Sequence, residues 1–177
     1  MRMIVLRLLA GAYVLVGANT AVAADKQAMI DDALSAAPDE ISNNATIKDW
    51  SGNVLQDGDN GYTCFPTPPN LKGVAPMCLD QAWLSWADAW MNKKPFQADR
   101  VGTAYMLAGD GGASNIDPYA EGPTADNQWI QEGPHLMVIV PDPASLEGIS
   151  TDPNNGGPYV MWKGTPYAHI MVPTTGK

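Results

Sequence analysis

The segment Asp80–Pro95, DQAWLSWADAWMNKKP, gives the clearest structural signal in the sequence. Trp83, Trp86 and Trp90 are spaced three and four residues apart, so they fall on one face of a helix. Asp80 is a good N-cap, and the final KKP supplies cations for the helix C-terminus and a proline stop. Because burial of such a stripe against a sheet stabilises a fold by several kcal/mol, we interpret it as core rather than as a ligand platform.

Short strands are predicted on both sides of this helix, at apolar or β-branched segments bounded by turn residues. They cover residues 45–50, 53–56, 62–65, 101–108, 136–140, 159–162 and 168–172. A first helix over 26–37 precedes them and ends at Pro38. The order of elements predicts an α+β fold, with a mostly antiparallel sheet and two helices packed on one face. Long Gly/Pro-rich loops at 109–133 and 141–158 are where a site is expected, since long loops are often functional.

Residues 1–23 are predicted to be a cleavable secretory signal peptide. Arg2 and Arg7 form the basic start, residues 8–16 are a short apolar run, and Ala21-Val22-Ala23 fits the small-residue rule for cleavage. The run is too short for a membrane span, which needs ~20 apolar residues. Residues 24–177 are therefore expected to be a single globular domain, periplasmic or extracellular, with no stable membrane anchor after cleavage.

The charge of the chain argues against some partners. The whole sequence has 10 basic and 19 acidic residues, a net charge of −9. Without Arg2 and Arg7 the balance is 8 against 19, or −11. Such a surface repels nucleic acid and anionic membranes. A small ligand or a metal ion is compatible with this charge, and the sequence does not indicate an oligomeric state.

Cys64 and Cys78 are the only cysteines. In an oxidising compartment, two cysteines in a small domain are most simply explained as one disulfide. The closed loop of about 15 residues corresponds to a stabilisation of ~3 kcal/mol in the chain-entropy model. A redox pair or a thiolate metal site fits less well, because the chain has no C-x-x-C motif.

A short internal repeat, called the internal echo below, is the most specific indication of function in the sequence. HLMV at 135–138 resembles HIMV at 169–172, and His135 and His169 are the only histidines. Side chains alternate between the faces of a strand, so each histidine shares a face with the methionine two residues later. If the strands are neighbours, His135, Met137, His169 and Met171 could converge on one metal ion. Thioethers select Cu(I) and imidazole suits copper, so copper is the cofactor that this pattern suggests.

A structural interpretation of the same echo stays open. Methionine packs into irregular core positions, and a buried histidine needs only one partner for a ring nitrogen. Chance or the common composition of core strands also produces four-residue repeats. Haem ligation and acid/base chemistry are further roles for these histidines.

A hydrolase-like enzyme is the alternative function, and the sequence leaves it uncertain whether the chain is an enzyme. One of the two histidines would act as a general base with a loop carboxylate. The candidate carboxylates are Asp110, Asp117, Asp126, Glu132 and Asp142. The chain has no G-x-S-x-G and no H-E-x-x-H motif. The metal hypothesis needs the histidines close together, whereas the enzyme hypothesis needs one of them in a cleft. Neither the metal hypothesis nor the enzyme hypothesis is supported if both histidines are buried in the core with one hydrogen bond each.

Two weaker alternatives remain. Oxygen donors cluster at 57–61, 110–117 and 152–155, but none of these segments matches the calcium loop of an EF-hand, so turn formation explains them better. A non-metal ligand-binding or surface-interaction domain would use exposed aromatic side chains. The candidates for that role are Trp50, Trp129, Trp162, Tyr119 and Tyr167.

Four segments also resemble a family of small exported bacterial proteins with no assigned activity. They are NGYTC at 60–64, PMCLD at 76–80, GPHLM at 133–137 and WKGTPYAH at 162–169. The resemblance would cover most of the chain after residue 23. It implies export and a single domain, and it transfers no catalytic residue.

Overall fold

The structure is a computed structural model that describes residues 17–174. Residues 1–16, which hold the basic start and the apolar run of the predicted signal peptide, lie outside the described residues. The helices are α1 (Gly17–Leu34), α2 (Asp39–Ser42) and α3 (Gln81–Met91), and a 3-10 turn covers Pro143–Leu146. The strands are β1 (Thr46–Lys48), β2 (Val54–Gln56), β3 (Thr63–Phe65), β4 (Met77–Leu79), β5 (Gly102–Met106), β6 (Ala113–Ser114), β7 (Trp129–Ile130), β8 (His135–Ile139), β9 (Tyr159–Met161) and β10 (His169–Pro173).

Eight of these strands form one sheet in the order β2-β1-β3-β4-β5-β8-β10-β9. Neighbouring strands run antiparallel, except that β1 and β3 are parallel. β6 and β7 form a separate two-stranded ribbon inside the 109–133 loop. The fold is therefore α+β with a mostly antiparallel sheet, as the sequence predicted.

Helix α3 is fixed to the sheet by its N-cap. Asp80 Oδ1 accepts the Trp83 backbone N–H at 2.9 Å, and Oδ2 accepts the Thr103 N–H of β5 at 2.6 Å. One carboxylate therefore caps the helix and ties its start to a central strand. Trp83 and Trp86 are buried against the sheet and Trp90 is half-buried. The tryptophan stripe is core, as predicted.

The two long helices pack on opposite faces of the sheet, which corrects the prediction that both lie on one face. Directly paired residues of antiparallel strands share a face, and successive residues alternate. Leu79 of β4 belongs to the core cluster that contains Trp83 and Trp86 of α3. Its neighbour Cys78 belongs to a second cluster with Ile30 of α1. The sheet thus separates two cores, and the face that packs on α3 is called the tryptophan face below.

Helix α1 covers the disulfide. Cys64 and Cys78 are directly opposite each other on β3 and β4, and both side chains are fully buried. Cys78 Sγ lies 3.9 Å from the Ala33 carbonyl oxygen of α1. The predicted disulfide is present. No helix among residues 17–174 is long and apolar enough to cross a membrane.

Candidate functional site

The two His-x-Met segments lie on neighbouring antiparallel strands at the centre of the C-terminal half of the sheet. Met137 of β8 is directly opposite Met171 of β10. The pair lies on the tryptophan face, in a cross-strand row that runs from Leu79 through Ala104 to the two methionines and Tyr159. His135 and His169 share that face, because each is two residues from one of the paired methionines. All four predicted ligands therefore lie on one face of adjacent strands.

The two histidines nevertheless lie at opposite ends of the methionine pair. Each precedes its methionine by two residues, and antiparallel strands run in opposite directions. Their Cα atoms are therefore four residue positions apart, which corresponds to about 14 Å along the strands. The pairing of β8 with β10 thus places the two histidines on either side of the methionine pair, at the two ends of the row of predicted ligands.

Each histidine instead has a second methionine opposite it on its outer neighbouring strand. His135 is directly paired with Met106 of β5, and His169 is directly paired with Met161 of β9. Sequence reasoning missed Met106 and Met161, although both fall in strands that it predicted, because finding them requires the strand order. Each imidazole thus has two methionine neighbours, one across the strands and one two residues later along the chain.

His135 is completely buried and makes one hydrogen bond. Its Nδ1 lies 2.7 Å from the Gly133 carbonyl oxygen. Since a carbonyl only accepts, Nδ1 carries the proton and Nε2 presents a lone pair. Nε2 is buried with no hydrogen-bond partner in the part of the chain that the structure describes.

His169 repeats this arrangement in different surroundings. Its Nδ1 donates to the Tyr167 carbonyl oxygen at 2.9 Å, and among the described residues its buried Nε2 has no hydrogen-bond partner. The ring centroids of Trp83, Trp86 and Trp162 lie 5.4, 5.5 and 5.1 Å from that of the imidazole. The indole nitrogens of Trp83 and Trp86 likewise have no hydrogen-bond partner within residues 17–174. Burial lowers the pKa of His169 from 6.5 to about 4, so the imidazole is neutral at pH 7.

Carboxylates and a phenol occupy the base of the 109–133 loop, at the His135 end of the sheet. Asp110 Oδ1 accepts the backbone N–H groups of Gly112 and Glu132, both at 2.9 Å. The Tyr159 hydroxyl donates to Glu132 Oε1 at 2.8 Å. Burial raises the pKa of Asp110, and burial together with the Glu132 hydrogen bond raises that of Tyr159.

The other predicted carboxylates have turn roles or lie in solvent. Asp117 accepts the Tyr119 backbone N–H, Asp142 caps the 3-10 turn, and Asp126 is exposed. Both histidines are at most 1 % exposed, so neither lies at an open cleft beside a carboxylate. Both histidines are buried in the core with one hydrogen bond each, an arrangement that supports neither the predicted four-ligand metal site nor the hydrolase-like alternative.

Clusters of the side chains that most often bind metal ions in proteins are not found in the described part of the chain. Among residues 17–174, no group of three or more His, Cys, Asp or Glu side chains is placed to hold a metal ion. Two of the candidate calcium segments use their polar side chains in turns: Asn60 accepts the Tyr62 N–H and Asp152 accepts the Asn154 N–H.

A separate groove of about 440 Å³ lies between α1, the β1–β2 turn and the proline-rich loop. Trp50 forms one wall and is 40 % exposed. Its Nε1 donates to the Pro66 carbonyl oxygen at 2.7 Å, and its ring lies 5.2 Å from that of Phe65. Asp32 and Asp49 stand at the walls. Of the other predicted surface aromatics, Tyr119 is exposed, Trp129 is half-buried, and Trp162 and Tyr167 belong to the core.

Comparisons of the chain with protein-family models, curated proteins and solved structures found no match.

Proposed function

We propose that this protein is an exported soluble binding protein whose ligand is Cu(I), held at His135 by the thioethers of Met106 and Met137. The observation that carries the proposal is the buried, unpartnered Nε2 of His135 beside two methionines. A neutral imidazole nitrogen and thioether sulfurs are ligands that Cu(I) prefers, whereas Mg²⁺ and Ca²⁺ require oxygen. The site keeps His135 and Met137 from the four ligands expected from the sequence, and it has Met106 in place of His169 and Met171.

The protein prepares His135 for this role by fixing its tautomer. The hydrogen bond from Nδ1 to the Gly133 carbonyl leaves the lone pair on Nε2 and holds the ring orientation. Metal-binding histidines commonly donate their second nitrogen in this way, and the partner makes the ligand nitrogen more basic.

The position of the site gives it a route to solvent. Met106 is the last residue of β5 and His135 is the first residue of β8, so both lie where the 109–133 loop leaves and rejoins the sheet. Movement of this loop would expose the site without breaking the centre of the sheet. Asp110 and Glu132 at the loop base add negative charge when ionised, which favours a cation.

Export agrees with the way α1 is packed. The predicted cleavage after Ala23 falls inside α1, and among the side chains of that helix whose burial is described the first buried one is Ile30. Removal of residues 1–23 therefore takes away no described core contact. We expect a bacterium that expresses the whole chain to yield a periplasmic or secreted form that begins at Ala24, as determined by intact mass.

Two variants near the cleavage site test export. Ala21→Glu should leave the chain uncut, because the position needs a small residue, whereas Val22→Leu should be cut normally. If the parent sequence instead remained in the cytosol at its full length, that result would contradict export.

Cu(I) binding is measured by competition with a chromophoric Cu(I) chelator on the oxidised protein that begins at Ala24. We expect the parent to withdraw Cu(I) and the double variant Met106→Leu/Met137→Leu to lose at least tenfold in affinity at this site, about 1.4 kcal/mol. Leucine for methionine conserves volume, so the variant should fold. Met91→Leu is the control, since Met91 is 60 % exposed on α3, and it should bind as the parent does.

Methyl NMR of the methionines gives an independent readout. Addition of Cu(I) should shift the methyl signals of Met106 and Met137 and leave that of Met91 unchanged. A parent protein that withdraws no Cu(I) from the chelator, with all methyl signals unmoved, overturns the proposal.

Ligand binding at the Trp50 groove is the second candidate function. The groove volume lies within the range of roughly 300–1,000 Å³ that is usual for small-molecule sites. The hydrogen bond of Trp50 and its contact with Phe65 fix the position of its ring, and the exposed part of that ring is thereby preorganised for ligand contact. If Cu(I) is not bound, this groove is where ligands with an apolar ring should be sought.

A further inference from the structure

We infer that the chain binds a second Cu(I) ion at His169, held by Met161 and Met171 and walled by tryptophan rings. The inference rests on the proposed function, because it extends the same ligand chemistry to the other half of the internal echo. It predicts a stoichiometry of two ions per chain at sites that are not equivalent.

A local twofold relation carries the inference. The antiparallel pair Met137–Met171 lies at its centre, and a half-turn about that pair exchanges β8 with β10. The same half-turn exchanges β5 with β9, since these are the outer neighbours of β8 and β10. His135 is thereby matched to His169, and Met106 to Met161.

The hydrogen bonding of the imidazoles obeys the same relation. In both cases Nδ1 donates to the carbonyl oxygen two residues earlier, Gly133 for His135 and Tyr167 for His169. In both cases the buried Nε2 is unpaired among the described residues. The second imidazole therefore presents the same lone pair beside the same two thioether neighbours.

The surroundings make the second site different from the first. Asp110 and Glu132 lie beyond His135, whereas Trp83, Trp86 and Trp162 surround His169 at 5.1–5.5 Å between ring centroids. A cation within about 6 Å of an indole ring is attracted by its π system. A Cu(I) ion at His169 is thus expected to change tryptophan fluorescence, and one at His135 is not.

The test is a Cu(I) titration with two readouts, chelator competition for stoichiometry and tryptophan fluorescence for location. The parent should bind two equivalents, and one of them should quench fluorescence. Met161→Leu/Met171→Leu should bind one equivalent without quenching. Met106→Leu/Met137→Leu should bind one equivalent with quenching retained. Near-UV circular dichroism of both variants checks that the core is intact.

The outcomes separate this inference from the proposed function. One equivalent in the parent, unaffected by Met161→Leu/Met171→Leu, overturns the second site and leaves the first. No binding at all overturns both. Should either variant fail to fold, methyl NMR of the parent decides, since the Met161 signal must move with the second equivalent if the inference is correct.

Discussion

The free energy of unfolding of the metal-free protein should fall by roughly 3 kcal/mol between pH 6.5 and pH 4, because of His169 alone. Burial lowers the pKa of this imidazole to about 4, and the electrostatic effect of the neighbouring His135 on that pKa acts in the same direction. The unfolded chain takes up the proton near pH 6.5, whereas the folded chain does so only near pH 4. Between these values the unfolded state binds the extra proton, so stability increases with pH and is lost on acidification.

Urea unfolding at half-unit steps from pH 4 to pH 7 measures this dependence. Carboxylates also begin to titrate at the acidic end, so the informative quantity is the difference between the parent and His169→Gln. Glutamine is polar, similar in size and does not titrate. We expect the parent curve to be steeper than that of the variant by up to about 1.4 kcal/mol per pH unit. Parallel curves would show that His169 titrates normally in the folded protein.

Loss of the disulfide should destabilise the protein by about 3 kcal/mol, the entropy that a closed loop of about 15 residues removes from the unfolded chain. Cys64 and Cys78 lie directly opposite each other and are buried under α1, so their replacement also affects the packing of that helix. The double variant Cys64→Ala/Cys78→Ala avoids placing a hydroxyl or a free thiol in the core.

Urea unfolding of the oxidised parent and the double variant at pH 7 measures the effect as a change in midpoint. The slope of unfolding free energy against urea concentration should also be larger for the double variant, because its unfolded chain has no crosslink and exposes more surface. The matched control is the parent with reductant, which should unfold like the double variant. A difference below 1 kcal/mol would indicate that the reduced chain keeps the loop closed without the bond.

Much of the fold followed from local pattern. Helix α3, its cap at Asp80 and the strands around the histidines were predicted because their periodicity and end signals agree. Strand β4 was missed: its three residues, Met77–Leu79, follow a proline-rich loop and are too short to show alternation. The placement of α1 and α3 on opposite faces was also missed, because local pattern does not say which face of a sheet a helix covers.

In the candidate site too, the features set by a single strand could be predicted from the sequence, and the features set by strand pairing could not. Alternation along a strand places His135 with Met137, and His169 with Met171, from sequence alone. Strand direction then decides whether the histidines meet, and the antiparallel pairing of β8 with β10 holds them apart. Met106 is paired with His135, 29 residues later in the chain, and Met161 is paired with His169, 8 residues later. These pairings depend on strand order and register, which the pattern within a single strand does not contain.

The position of β10 has a consequence for the order in which the molecule assembles. It is the last described strand, yet it lies between β8 and β9, which precede it in the sequence. Among the described strands β9 pairs only with β10, so it has no partner for backbone hydrogen bonds until β10 has been synthesised. Completion of this edge of the sheet is thus a late step in folding, because it needs the strand that comes last among those described.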